Sequence, residues 1–188
     1  MAHKCRNILY ACQYAVEHSD IGEHFLVSMD DHFYLRKVDF DKYPYYVKRA
    51  YSPDGELPVS REGASGYTRY LCATREFLEE HGLPTKCFTL HRNMHCTRQW
   101  LNECAGLIKE ILRNSIACEP WALLNNYAYS KGYITKYTLV DDCKVKAENF
   151  DNTKKKGLEV FSTYNFLPAD DLYHQVEARY PVKCKYEK

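Results

Sequence analysis

Three glutamates on one face of a short helix constrain this chain more than any other run of its residues. In Arg75-Glu76-Phe77-Leu78-Glu79-Glu80-His81-Gly82-Leu83, Glu76 and Glu80 lie four apart with Glu79 between them. All three therefore fall within about a third of a helical wheel. Tyr70, Leu71, Thr74, Phe77 and Leu78 fall on the other side, so the spacing predicts an amphipathic helix over about Thr68 to His81. Gly82 suits the left-handed residue that closes a helix, and Leu83-Pro84 confirms the stop. Like charges at this spacing repel by roughly 0.2–0.5 kcal/mol per pair. A divalent cation shared by the carboxylates would turn that cost into a binding site.

The rest of the chain must bury the apolar face of that helix. Its 188 residues suit a single domain over 1–188 with a sizeable core. At 45% hydrophobic and 27% charged, it reads as folded and not disordered. Basic and acidic residues number 26 and 25, a balance that argues against a protein coating long nucleic acid. A short or small phosphorylated ligand is compatible with it. No uncharged apolar run approaches the roughly 18–20 residues of a membrane span, and the N-terminus lacks a signal-peptide core. The expectation is a cytoplasmic or nuclear protein, not a secreted one, with no membrane partner. Nine cysteines without a secretory signal read as mostly reduced and buried thiols. Seventeen tyrosines are mostly core and surface filler, with some available to stack on a base.

Along the chain, residues 5–18 follow helical spacing through Cys5, Ile8, Leu9, Cys12, Ala15 and Val16. His24–Met29 and His32–Val38 are short β-rich runs around Asp30-Asp31, which predicts a β-hairpin. Tyr43–Tyr51 reads as a strand with Pro44 near an edge. Ser52–Gly66, with two prolines and three glycines, is loop. A long amphipathic helix is predicted over about Thr97–Cys118, with Leu101, Cys104, Ile108, Ile111 and Leu112 on one side. A short helix follows from Pro120 to Tyr129. Tyr133–Val140 and Leu158–Tyr164 read as strands, and Asp170–Arg179 as a closing helix. Lys154-Lys155-Lys156 reads as a solvated loop.

The glutamate helix resembles the second half of the Nudix box, Arg-Glu-apolar-x-Glu-Glu-x-Gly-apolar. Arg75, Glu76, Phe77, Glu79, Glu80, Gly82 and Leu83 meet every specified position. A chance match in a chain of this length is on the order of one in 10⁵. A loop and a β-hairpin precede the box helix in that family, and Phe161–Leu172 is loosely similar to its closing strand and helix start. The first half departs from the pattern. Tyr67 stands where the family has Glu, and Arg61 where it has Gly, with Gly63 and Gly66 nearby. The resemblance implies an α/β fold, a Nudix-like mixed β-sheet sandwiched between helices. Thr85–Ser130 is then an added helical insertion around 90–130.

The same resemblance implies a metal-dependent hydrolase that cleaves the diphosphate of a nucleoside diphosphate linked to another group. ADP-ribose and the capped end of an mRNA are the two substrate versions. Glu76, Glu79 and Glu80 would hold Mg²⁺ or Mn²⁺, both of which favour carboxylate oxygens. Arg75 would orient Glu79, four residues on. Glu148, Asp151 and Glu159 are candidates for a general base. The rival reading is non-catalytic: a Nudix-like nucleotide-binding module, or an α-rich accessory subunit of a larger assembly. A homodimer through the 97–118 helix belongs to the same group of expectations. Cys87, His91 and His95, spaced four apart, with Cys96 and Cys104 after them, form a weaker zinc candidate. His95-Cys96-Thr97 is one copy of a His-x-Thr that phosphoesterases need twice. Gly63-Ala64-Ser65-Gly66-Tyr67 lacks the last Gly of a nucleophile elbow.

Overall fold

The computed structural model describes residues 2–28, 32–34, 39, 42–141 and 160–162, together with His174 and Ala178. It mixes helix and strand. The chain divides into two compact units, one of residues 1–28 and 39–142, the other of 29–38 and 143–188.

Among its described residues, the first unit holds five helices and four strands. Helix α1 (Ala2–His18) buries Leu9 and Val16, and packs on helices α3 (Arg98–Glu103), α4 (Ala105–Asn114) and α5 (Pro120–Ser130). Strand β1 (His24–Val27) pairs antiparallel with β4 (Met94–Thr97), in the register His24↔Thr97 to Val27↔Met94. Strand β3 (Tyr46–Lys48) pairs in parallel with β5 (Thr138–Val140). A parallel pair needs a crossover. Here the helices α2 (Gly66–Glu80), α3, α4 and α5 all lie between the two strands in sequence.

Helix α2 (Gly66–Glu80) begins where Ser65 caps it, its hydroxyl accepting from the Thr68 amide at 3.2 Å. It ends as the sequence predicts. Gly82 adopts φ +64°, its amide donates to Glu79 O at 3.0 Å, and the Leu83 amide donates to Leu78 O at 2.9 Å. That is a Schellman close, which satisfies two carbonyls the helix cannot reach. Leu71, Thr74, Phe77 and Leu78 are buried, as the periodicity requires.

Two expectations are corrected. The hairpin is not formed by β1 with its sequence neighbour: β1 pairs with β4, and β2 (His32–Tyr34) pairs with the distant β6 (Val160–Ser162). The long helix 97–118 is two helices, α3 (Arg98–Glu103) and α4 (Ala105–Asn114). Cys104 between them has ψ −4°, far from the helical value of about −42°. Gly106, with weak helix propensity, follows at once. Thr97 ends β4 and caps α3, its hydroxyl accepting from the Trp100 amide at 3.0 Å. Helix α4 closes at Ser115, which is left-handed at φ 55°.

Helix α5 (Pro120–Ser130) is the centre of this unit, with Pro120 through Asn126 all buried. Its polar residues are used. Asn126 donates from Nδ2 to Lys86 O at 2.8 Å and accepts from the Lys86 amide at 2.9 Å, so it stands in for a strand partner. Glu119 caps the helix through the Ala122 amide at 2.8 Å. The Glu119 amide in turn donates to Thr74 Oγ1 at 3.0 Å, tying α5 to α2. All seven described cysteines are free thiols, five buried and two half-buried.

The second unit contributes the antiparallel pair of β2 (His32–Tyr34) and β6 (Val160–Ser162), with Phe33↔Phe161 at its middle. His174 and Ala178 are helical, within the span expected for a closing helix. The rest of that span, and the Lys154–Lys156 run, lie outside the described residues.

Candidate carboxylate site on helix α2

The three glutamates project from the exposed face of α2, and the loop before the helix runs alongside them. Three contacts fasten the two together. Cys72 Sγ donates to Ser60 O at 3.3 Å, Arg75 Nη1 donates to Leu57 O at 2.7 Å, and Arg61 forms an ion pair with Glu76. Arg75 also donates from Nε to Glu79 Oε1 at 2.7 Å.

The two arginines differ in setting. Arg75 is 20% exposed and bridges a carbonyl and a carboxylate, whereas Arg61 is 51% exposed and lies against Glu76. Glu76 and Glu79 are each 52% exposed. Each has a guanidinium partner that relieves the repulsion along the helix face. Glu80 is exposed beside His81, whose imidazole pKa is raised by several groups. The Phe77 carbonyl acts first. The Glu110 carboxylate at 3.1 Å and the charge of Glu80 add to it, against a burial effect that lowers it.

Sequence reasoning missed Glu56. It lies one residue before Leu57, accepting from Thr85 Oγ1 at 2.6 Å and pairing with Lys86 Nζ at 2.5 Å. Burial pushes its pKa up, but the bonds from Lys86 and Thr85 and the charges of Lys86 and Arg75 outweigh that and hold it below the ordinary value. A lone Glu in an irregular loop carries no period to mark it. The same is true of Arg61, which was noted only as a departure from the box.

Oxygen donors of this kind suit a hard divalent cation. As they stand, no group of three or more His, Cys, Asp and Glu among the described residues gathers closely enough to hold a metal. Two of the three carboxylates face arginines instead. The zinc candidate fares no better. Residues 87–93 are not helical, and His95 and Cys96 lie on β4. His95 Nδ1 is engaged with Tyr45 OH at 3.1 Å, the two rings stacked at 5.6 Å. Glu148, Asp151 and Glu159 lie outside the described residues. Tyr67, where an acid was expected, is half-buried with its ring 6.5 Å from that of Tyr70.

A small cleft of this unit lies elsewhere. It encloses about 20 Å³, room for roughly one water, and is walled by Tyr45, Tyr46, Phe88, Arg92, His95 and Trp121. None of the α2 glutamates lines it. No protein-family model matches the sequence, and no curated protein matches it. No helix among the described residues is long and apolar enough to cross a membrane.

Proposed function

We propose that the chain is a Nudix-type pyrophosphohydrolase that uses Mg²⁺ or Mn²⁺ on the α2 carboxylates. The observation that carries this reading is the Arg75 bridge. One guanidinium holds the loop carbonyl of Leu57 and the carboxylate of Glu79 together, within a stretch that meets every position of the second half of the box. An ordinary solvated helix face has no need of such a tie. A mixed sheet between helices, with residues around 90–130 as the insertion, is the fold that goes with this reading.

A divalent cation, when bound, neutralises diphosphate oxygens and acidifies a water. Glu76, Glu79 and Glu80 would supply its protein oxygens. Arg75 would orient Glu79 through the Nε bond and anchors the loop beside it through the bond to Leu57 O. Proton removal would fall to one of Glu148, Asp151 and Glu159. The substrate class is a nucleoside diphosphate joined to another group, ADP-ribose-like or a capped RNA end.

The test is turnover of ADP-ribose, dinucleoside polyphosphates and capped RNA with Mg²⁺ or Mn²⁺. Glu79→Gln and Glu80→Gln should each lower the rate at least roughly 100-fold. Full activity in both variants, or turnover of no substrate, overturns the reading.

A second reading has its own support. Glu76 and Glu79 are half exposed and ion-paired, do not line the cleft at Tyr45 and Trp121, and Tyr67 stands where the box has an acid. These fit a module that binds nucleotide without cleaving it, or an accessory subunit. Nucleotide binding seen by calorimetry with no product formed would select the module.

A further inference from the structure

Two side chains that can only donate hydrogen bonds meet at the cleft beside the start of α5. Trp121, the second residue of that helix, forms part of the wall and is 3% exposed. Its indole N–H is buried and has no acceptor among the described residues. Arg92 stands on the same wall, half-buried, and no carboxylate among the described residues pairs with it. We propose that this cleft binds a small planar carboxylate, with one oxygen accepting from Trp121 Nε1 and the other facing Arg92. The site is separate from the α2 face and does not rest on the hydrolase reading.

Local structure explains why the indole is left over. Trp121 sits beside the cap of α5, but the Glu119 carboxylate is taken by the Ala122 amide at 2.8 Å and the Thr89 hydroxyl at 3.1 Å. Asn125, one turn on, spends its Nδ2 on the Trp121 carbonyl at 3.0 Å. Burying a donor without a partner costs the full desolvation of that group, and an indole has no acceptor role to fall back on. Arg92 is held by a different force. Its guanidinium lies 4.3 Å from the centre of the Tyr46 ring, a cation–π contact that fixes the charge while leaving its N–H groups to an oxygen ligand.

The space selects the ligand. About 20 Å³ admits one oxygen-sized group, so the body of the ligand stays outside. A water fits by size, but it brings two more donors to a wall whose orphaned and charged groups are donors themselves. A carboxylate brings acceptors alone, and its charge answers the guanidinium. No acidic residue among the described ones lines the cleft. Tyr45, Tyr46, Phe88 and Trp121 present flat rings, which pack on a planar anion better than on a tetrahedral one. The Tyr45 hydroxyl does not compete for Trp121, being engaged with His95 Nδ1 at 3.1 Å.

The test is a benzoate titration of the whole ¹⁵N-labelled chain, followed by NMR at fixed ionic strength. The sequence has two tryptophans, so Trp121→Phe assigns the two indole N–H resonances by the loss of one. Benzoate should move the Trp121 resonance saturably, and farther than that of Trp100. Arg92→Gln, shown folded by circular dichroism, should bind benzoate at least roughly tenfold more weakly, as the loss of a charge-assisted bond requires. Arg69→Gln is the control for charge alone, because Arg69 lies on α2 and does not line the cleft. Benzamide, which lacks the charge, and inorganic phosphate, which is not planar, should both bind more weakly than benzoate. An equal loss in Arg69→Gln, benzamide as tight as benzoate, or phosphate tighter than benzoate overturns the carboxylate site. A Trp121 indole in the folded wild type that shows a cross-peak to a bound water and no response to benzoate marks a buried water only, and overturns it as well.

Discussion

Single residues in this fold separate into those that fill space and those that hold charge where water is absent. Gly55 is of the first kind. It adopts φ +73°, and a Cβ there would meet Val47 Cγ1 at 2.3 Å and Leu139 Cδ2 at 2.9 Å. Gly55→Ala should therefore cost about 2–5 kcal/mol, the left-handed penalty plus overpacking. Gly82→Ala meets nothing within 4 Å, so it should cost only about 1–2 kcal/mol. Urea unfolding of both variants checks the difference; equal losses would mean that packing under β3 and β5 is not what Gly55 protects.

Glu119 is of the second kind. Burial pushes its carboxyl from an ordinary 4.5 up to about 7, against hydrogen bonds from Ala122, Thr89 and Trp121 that lower it. Between those two pH values the folded chain binds more protons at this site than the unfolded chain. Stability is then highest below pH 4.5, falls as pH rises through that window, and has lost the full contribution above pH 7. Glu119→Gln keeps an acceptor for the cap without the charge. It should match wild type near pH 4 and exceed it by on the order of 3 kcal/mol at pH 8. A stability difference that does not change with pH would show that the buried carboxyl does not titrate in this range.

At the scale of elements, the legible parts were those whose evidence is local. Helix α2, its apolar face and its Gly82 close follow from spacing and from three consecutive residues. The pairing of β1 was not legible, because its partner is some seventy residues on and Met94–Thr97 is too short to stand out from the helix it leads into. The break at Cys104 was hidden by a heptad-like apolar pattern that continues across it. For the site, the carboxylates and Arg75 could be read, since they repeat on one helix face. Arg61 and Glu56 act across a loop of irregular backbone, where no period ties residue to partner. That loop makes Arg75 an element-scale residue. Arg75→Ala removes a charged bond to Leu57 O from a part-buried site and should cost about 1.5–3 kcal/mol. The exposed Glu79 pair adds little. Arg75→Lys should rescue poorly, since one ammonium cannot match the guanidinium fork. Proteolytic nicking within 57–64 should quicken in Arg75→Ala. Unchanged nicking would show that the loop is held by other contacts.

Across the first unit, one side chain ties the end of α1 to the start of α3. Arg98, the first residue of α3, donates to the carbonyls of Val16, Ser19 and Ile21, the last two at 3.3 and 2.6 Å. Val16 lies in the last turn of α1, where helix carbonyls lack partners of their own, and Ser19 and Ile21 lie in the segment just past it. The joint is doubled by backbone. The Arg98 amide donates to Glu23 O at 3.0 Å, and the Gln99 amide to Glu23 Oε1 at 3.0 Å. The guanidinium therefore gathers the end of α1, the turn after it and the start of α3 into one node. Arg98→Ala should cost about 2–4 kcal/mol, less than three full charged bonds because water reaches part of the node. The loss should also be local. Amides of α1 should exchange faster, while those of α5, buried along most of its length, keep the protection set by global unfolding of the variant. Arg98→Lys should behave as Arg98→Ala, because a single ammonium cannot span three separated carbonyls. If α1 and α5 lose protection together and by the same amount, α1 is held by its buried Leu9 and Val16 contacts, and Arg98 contributes to global stability without governing the docking of α1.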